Sequence, residues 1–394
     1  MENEPSDKTV KPDITEEDQT LIFGTASFLN DTSSDMIAPI WPTFLYSYLG
    51  LDFLLIGFID GLALTLTALS KLGAGYASDR TGKRKDFITT GYFLSMISRI
   101  GFALSTGFVT IAISKSFDRL GKMRGPPRDA MVAGATTEEK RGKAFGTLRA
   151  MDSAGAVVGS IITFFLFFYL DYITIILLAT IPAALSVIVI AFFIKEGKGR
   201  AAFKGVSFSG LNRNLKLFFF ASTLFALATF SYSFLILYSR AYYSDVLLPL
   251  LYIIFTFTDA ASAYPFGRAS DKVGRKPIII IGFLLLCATS LWAYIATDWL
   301  TVIPLFVFFG LSAGALTPVQ TTLVADLVEE ERRACIIGAF QMLVGIAALP
   351  AGIIIGWLWE TLGPLVAFNF SLALALIAVI CMMLIRIPKP SENR

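Results

Sequence analysis

The chain has 394 residues, 55% hydrophobic and only 16% charged, with a net charge of +3 and a mean hydropathy of +0.68. A soluble domain carries about 25% charged residues, so this chain cannot cover its apolar surface with charge and must use the bilayer as its solvent. The small net charge gives no reason to expect a nucleic-acid partner; the absence of histidine and three isolated cysteines (Cys287, Cys335, Cys381) offer no disulfide framework, metal site or usual neutral-pH proton switch.

Residues 1–19 are mostly polar and acidic, without the basic start and short apolar core of a signal peptide, and read as a cytoplasmic tail. A membrane-crossing helix needs about 20 apolar residues. Such segments lie near 21–48, 53–76, 87–106, 108–128, 146–170 and 173–194, and again near 215–239, 246–266, 277–296, 299–325, 334–358 and 363–386. The expected fold is therefore an all-α integral membrane protein of about twelve transmembrane helices. Residues 20–194 form a first six-helix bundle, 195–214 a Lys-, Gly- and Ser-rich cytoplasmic linker, 215–386 a second bundle, and 387–394 a cytoplasmic tail.

Lys and Arg are retained on the cytoplasmic side. One set of loops carries Arg80, Lys83, Arg84 and Lys85, then Lys140, Arg141 and Lys143, then Arg268, Lys272, Arg275 and Lys276, then Arg332 and Arg333, with further bases in the linker. The opposite set carries none, Arg240 being the only base near it. Both termini are expected to be cytoplasmic, in a multi-pass protein of the cell membrane.

Two stretches recur. Gly75-Tyr-Ala-Ser-Asp79-Arg80-Thr-Gly82-Lys83-Arg84 returns as Gly267-Arg-Ala-Ser-Asp271-Lys272-Val-Gly274-Arg275-Lys276, and Glu138-Glu139-Lys140-Arg141 returns as Glu330-Glu331-Arg332-Arg333. Both pairs are 192 residues apart, from 75 to 267 and from 138 to 330, which argues for duplication.

The pattern G-x-x-x-D-[RK]-x-G-[RK]-[RK] after the second and eighth spans resembles the signature loop of the major facilitator superfamily, and the resemblance covers residues 20–386. It implies two six-helix bundles related by a pseudo-two-fold axis, with a substrate site at their interface. It also implies that Asp79 faces the positive N-terminus of the eleventh helix and Asp271 that of the fifth, gating the cytoplasmic side. Gly75, Asp79, Arg80, Arg84, Gly267, Asp271, Lys272 and Arg275 are the expected gating residues. The plainer reading is that the basic clusters only fix topology.

Charges at the centre of a membrane helix cost about 2.5–3.5 kcal/mol each, yet the first half is full of them. Asp31 and Asp35 share one face of the first helix; Asp60 and Lys71 lie on the second and Arg99 on the third. Lys115, Asp118, Arg119 and Lys122 form one stripe of the fourth, and Arg149 and Asp152 lie on the fifth. At the repeat offset, Arg99, Lys115, Asp118, Arg119, Arg149 and Asp152 correspond to Leu291, Val307, Gly310, Leu311, Gln341 and Val344. The repeat folds without these charges, so they point to function. Lys71, Arg99, Lys115, Asp118, Arg119, Arg149 and Asp152 are the expected substrate-binding residues. The bland alternative is local pairing: Arg149 with Asp152, Lys115 or Lys122 with Asp118, and Asp35 with Lys71 or Arg99.

Two like charges on one face disfavour simultaneous ionisation. With no histidine, Asp31 and Asp35 are the expected proton-coupling site. Arg119 loosely resembles the superfamily's fourth-helix arginine associated with proton coupling. Gly155-Ala-Val-Val-Gly159-Ser160 approaches its antiporter pattern, with Ser160 where that pattern has proline. Pro126 and Pro127 are expected to interrupt the fourth helix.

No G-x-x-x-x-G-K-[ST] motif is present to drive an ATP pump, and no nucleophile–base arrangement suggests an enzyme. The reading is a permease, a secondary active transporter working by alternating access, which exports an organic or drug-like solute by proton antiport. The alternatives are proton-coupled uptake of an anionic solute, transport of a divalent metal by Asn30, Asp31 and Asp35, or a non-transporting membrane sensor. No cofactor is expected; the partners are a small-molecule substrate, protons and the lipid bilayer, and a monomer is expected.

Overall fold

The computed structural model describes residues 16–194, 205 and 211–385. Residues 1–15 of the expected N-terminal tail, the expected C-terminal tail and most of the expected linker lie outside them; the first helix begins at Glu16, inside the expected tail. Apolar composition and the rarity of turn residues inside the segments make helices, and each expected segment holds one. Span 1 is α1 (Glu16–Ile37), followed by a short turn α2 (Trp41–Thr43) and a π-helical turn Phe44–Tyr48. Spans 2 and 3 are α3 (Phe53–Thr81) and α4 (Arg84–Ala103). Span 4 is broken into α5 (Phe108–Leu120), a 3-10 turn Gly121–Arg124 and α6 (Gly125–Ala135). Spans 5 and 6 are α7 (Glu138–Leu166) and α8 (Tyr172–Phe193). Span 7 comprises α9 (Arg213–Ala228) and α10 (Tyr232–Ser239), span 8 is α11 (Leu248–Val273), and span 9 is α12 (Arg275–Trp292). Spans 10, 11 and 12 are α13 (Ile303–Asp326), α14 (Glu330–Leu362) and α15 (Pro364–Leu384).

Among the described residues, eight of these stretches are long and apolar enough to cross a membrane on length and composition alone. The other four, spans 1, 3, 4 and 8, are those diluted by intramembrane charge or broken by turns. Span 4 also runs further than the sequence suggested. Pro126 and Pro127 stand in the first turn of α6, where a missing N–H costs nothing, so the helix resumes and carries Arg128 and Asp129 with it.

Tight turns close the two signature loops. Gly82 caps span 2 with φ +72°, and Gly274 stands between spans 8 and 9 with φ +95°, conformations that glycine adopts without steric cost.

The two halves bury their apolar side chains differently. Spans 7–12 share one continuous core, including stacked Phe225–Phe283 and Phe230–Phe309. Spans 1–6 have two separate cores. One gathers Met36, Trp41, Phe44, Ile56, Phe102 and Ile176; the other gathers Phe23, Ile88, Tyr92, Met131, Leu148 and Ile190. Between them, on spans 1, 3 and 4, runs a buried polar layer that includes Asn30, Ser33, Ser95, Ser98, Arg99, Lys115, Asp118 and Arg124.

Candidate functional site

Arg99 is the centre of that layer, 1% exposed. Its Nη1 donates to Asp118 Oδ1 at 2.5 Å, to Ser98 Oγ at 2.8 Å and to the Ser95 carbonyl at 2.6 Å. Its Nε donates to Ser33 Oγ at 3.1 Å and its Nη2 to Ser34 Oγ at 2.7 Å. One guanidinium therefore ties span 3 to spans 1 and 4, which is what a planar five-donor fork can do and a point charge cannot. Asp118 also has Arg119 Nε 3.0 Å from Oδ2, an ion pair without hydrogen-bond alignment.

Lys115 takes a different partner. Its Nζ lies 3.6 Å from the centre of the Trp41 ring and 5.7 Å from that of Phe102, a cation–π seat. Trp41 Nε1 donates to Asp60 Oδ1 at 3.2 Å. Trp41, Arg99, Lys115 and Asp118 line a small void of about 40 Å³ together with Tyr232 of the second half.

Alongside lies a larger cavity of about 560 Å³. Its charged wall includes Asp31, Lys71, Lys122, Arg124, Arg128, Arg149 and Asp152; its neutral wall comes from span 11, with Ala334, Ile337, Gly338 and Gln341. It reaches the end of span 2 at Gly75, Ser78 and Asp79, beside the first signature loop. Asp31 has Lys122 Nζ and Arg124 Nη2 each at 3.9 Å. Arg128 donates to Ser27 Oγ at 2.6 Å and stands 3.0 Å from Asp129 and 3.6 Å from Asp152. Arg124 lies 4.7 Å from the Tyr92 ring centre. Lys71 and Arg149 make no hydrogen bond or ion pair among the described residues.

The sequence-derived pairs are corrected here. Asp118 joins Arg99 and Arg119, not Lys115 or Lys122; Asp152 faces Arg128, not Arg149; Asp35 accepts from Tyr252 Oη of span 8 at 2.8 Å, not from Lys71 or Arg99. Spacing along a helix identifies neighbours on that helix alone; Arg119 is the adjacent residue on α5, while Arg99, Arg128 and Tyr252 reach their carboxylates from other helices. Asp31 and Asp35, one turn apart, turn to span 4 and to the second half respectively. The trio behind the divalent-metal reading does not converge, since Asn30 donates to Asp31 at 3.2 Å while Asp35 engages Tyr252.

Arg124, Arg128, Ser33 and Tyr252 were not among the sequence-derived site residues. The available signal was the Pro-Pro pair, whose fit to a helix start extends span 4 past Arg128.

At the end of the molecule away from the signature loops, spans 2 and 11 pack backbone against backbone. A Cβ on Gly57 would overlap the Gly352 carbonyl oxygen, and one on Gly61 would overlap the Ala348 oxygen at 2.5 Å. Thr65 Oγ1 donates to the Gly345 carbonyl at 2.8 Å, and Glu360 accepts from the Phe53 N–H at 3.0 Å. Small residues permit this backbone approach between spans 2 and 11. Gly155 and Gly159 serve span 5 the same way against the Phe28 and Thr32 carbonyls of span 1.

At the signature-loop end, Arg84 Nη2 lies 2.8 Å from Asp79 Oδ1; Arg275 pairs with Asp271 and, at 3.1 Å, with Asp326. Arg80 donates to Tyr76 Oη at 3.3 Å, and Lys272 is exposed. A Cβ at Gly75 would meet only Pro126, at 3.5 Å, and one at Gly267 would meet open space.

The sequence pattern of the Major Facilitator Superfamily matches residues 23–250 and 217–394. An "uncharacterized MFS-type transporter" of Methanocaldococcus jannaschii is 35% identical over 379 residues, covering 92% of this chain and 94% of that protein. The multidrug resistance protein MdtH of Photorhabdus laumondii is 25% identical over 338 residues, 83% of each chain. Among solved structures, a point mutant of the nucleoside transporter NupG superposes with a TM-score of 0.79 at 13% identity, covering 93% of this chain and 99% of that one. A twelve-span frame among the described residues, two pseudo-symmetric halves and a match over both of them lead to one conclusion: this chain is a membrane transporter of the Major Facilitator Superfamily.

Proposed function

We propose that the protein is a secondary transporter that exports a small organic solute by alternating access, coupled to protons moving the other way. The observation that carries the reading is the cavity of about 560 Å³, whose two walls come from the two halves. It reaches the signature-loop end, while spans 2 and 11 lock together at the other. The bias of Lys and Arg toward the signature-loop side supports a cytoplasmic placement of both termini, which makes this an inward-open arrangement. The proposed division remains a bundle over 20–194 and a bundle over 215–386, joined by the 195–214 linker. The similarity to a multidrug resistance protein supports export.

Asp31 and Asp35 are the proposed proton carriers. Both are partly buried on span 1, beside the polar layer. Asp31 faces the bases of the broken fourth span, and Asp35 holds Tyr252 across the two halves. In the proposed cycle, protonating Asp35 weakens its charge-assisted hydrogen bond and eases separation of the halves at the sealed end. Flux of a fluorescent organic dye into everted vesicles under an imposed pH gradient tests the coupling. Asp31→Asn or Asp35→Asn should abolish the gradient dependence while leaving solute exchange. Retained gradient-driven flux in both single variants would rule these acids out.

A further inference from the structure

The carboxylates lining the large cavity are all engaged. Asp79 holds Arg84, Asp31 faces Lys122 and Arg124, and Asp129 and Asp152 face Arg128. Two cations are left over: Lys71 of span 2 and Arg149 of span 5, both exposed to the cavity and neither in a hydrogen bond or ion pair among the described residues. Lys71 and Arg149 line the same cavity as the cations Lys122, Arg124 and Arg128. The facing wall gives no compensation, because Ile337, Gly338 and Gln341 carry no charge. Two like charges in a confined, half-apolar space are an unfavourable arrangement unless something of opposite sign enters between them.

We infer that the transported solute bears an anionic group, a carboxylate or a phosphoryl group, which is held between Lys71 and Arg149. This inference rests on the transport reading and deepens it. The two side chains suit such a group in complementary ways. The guanidinium of Arg149 can take two oxygens in a parallel fork, and the Lys71 ammonium supplies a mobile point charge from the other side. The neutral wall of span 11 then receives the less polar remainder of the solute. A cationic solute meets the same two charges as repulsion, so the arrangement also excludes by sign.

The test uses the full chain in nanodiscs of phosphatidylcholine, which adds no net lipid charge. The probes are benzoate, phenyl phosphate, benzamide and benzylamine, each measured by thermal shift and calorimetry against sodium chloride of equal ionic strength. At least one of the two anions should raise Tm, as a ligand selective for the folded state must, and which one does so separates a carboxylate site from a phosphoryl site. Lys71→Gln and Arg149→Gln should each weaken that binding by about tenfold, equivalent to about 1.4 kcal/mol, with Arg149→Lys recovering part of it. Both side chains face open space, so the ligand-free Tm of the variants should stay near that of the parent. The inference is overturned if neither anion binds, if benzamide or benzylamine stabilises as strongly as the anions, or if anion binding survives both substitutions. Anion binding without transmembrane flux of any solute would overturn the transport reading alone.

Discussion

The two halves descend from one repeat, yet they solve the interior problem in opposite ways. In the second half, Gly310 and Gly314 let span 10 lie against the backbone of span 8, where a Cβ at Gly310 would meet the Phe255 carbonyl oxygen at 2.7 Å. In the first half the position equivalent to Gly310 is Asp118, and the position equivalent to Leu291 is Arg99. There the apolar core is split into two by a charged layer. The second half packs without these charges, so on the proposed reading their desolvation cost is borne for function: one half serves as an apolar wall and the other carries the chemistry.

The largest test of that contrast is to impose the second half's solution on the first. Arg99→Leu leaves the Asp118 carboxylate buried with only the poorly aligned Arg119, and breaking a buried pair from one side costs about 3–5 kcal/mol. Asp118→Leu should cost a similar amount by stranding Arg99. The double variant should be more stable than either single one, because no charge is left unpaired, while transport stays lost. Thermal unfolding in detergent with parallel flux assays decides it. A double variant that transports normally would reduce the layer to scaffolding.

A smaller effect is expected where the halves meet. Gly57→Val drives a side chain into the Gly352 backbone, so it should pry spans 2 and 11 apart and shift the protein away from the state closed at that end. Labelling of single cysteines placed beyond the seal should rise, with Tm falling by less than in Arg99→Leu. Unchanged labelling would show that the packing does not form the seal.

How far these features could be read from the chain differs between them. The span count, the repeat and the excess of charge in the first half were all legible, because hydropathy and basic-loop asymmetry are properties of local sequence. The exchange of partners was not. Asp118 and Arg99 are 19 residues apart, and nothing in either helix states that the two faces meet. Arg128 was hidden by its neighbours, since a Pro-Pro pair reads as a helix end until its place in a first turn is seen. The glycines of spans 2 and 11 were visible but mute: their meaning lies in what they face.

A milder perturbation of the same interface removes one hydrogen bond. Tyr252→Phe deletes the donor to Asp35, and hydrogen bonds to charged groups contribute about 1.5–3 kcal/mol. The state closed at the far end should therefore lose population by about tenfold or more, read as a matching gain in far-side labelling. Asp35→Asn retains an acceptor and should shift the equilibrium less. If Tyr252→Phe leaves labelling and flux unchanged, the contact between the halves is incidental.

The smallest effect is expected at Gln341, the repeat counterpart of Arg149 on the opposite wall of the cavity. Its amide is exposed to the cavity and neutral, so Gln341→Ala removes neither a charge nor a buried hydrogen bond. Solute binding should change by less than about twofold, roughly 0.4 kcal/mol, against the tenfold loss expected for Arg149→Ala. The pair is informative because both residues line one cavity and hold the same place in their repeats, leaving charge as the main difference. Gln341→Lys sharpens the comparison: a third cation facing Lys71 and Arg149 should tighten binding of an anionic solute and weaken that of a cationic one. If Gln341→Ala and Arg149→Ala bind alike on equally stable protein, charge does not distinguish the two walls, and the division of labour between the halves fails at the site where it should be clearest.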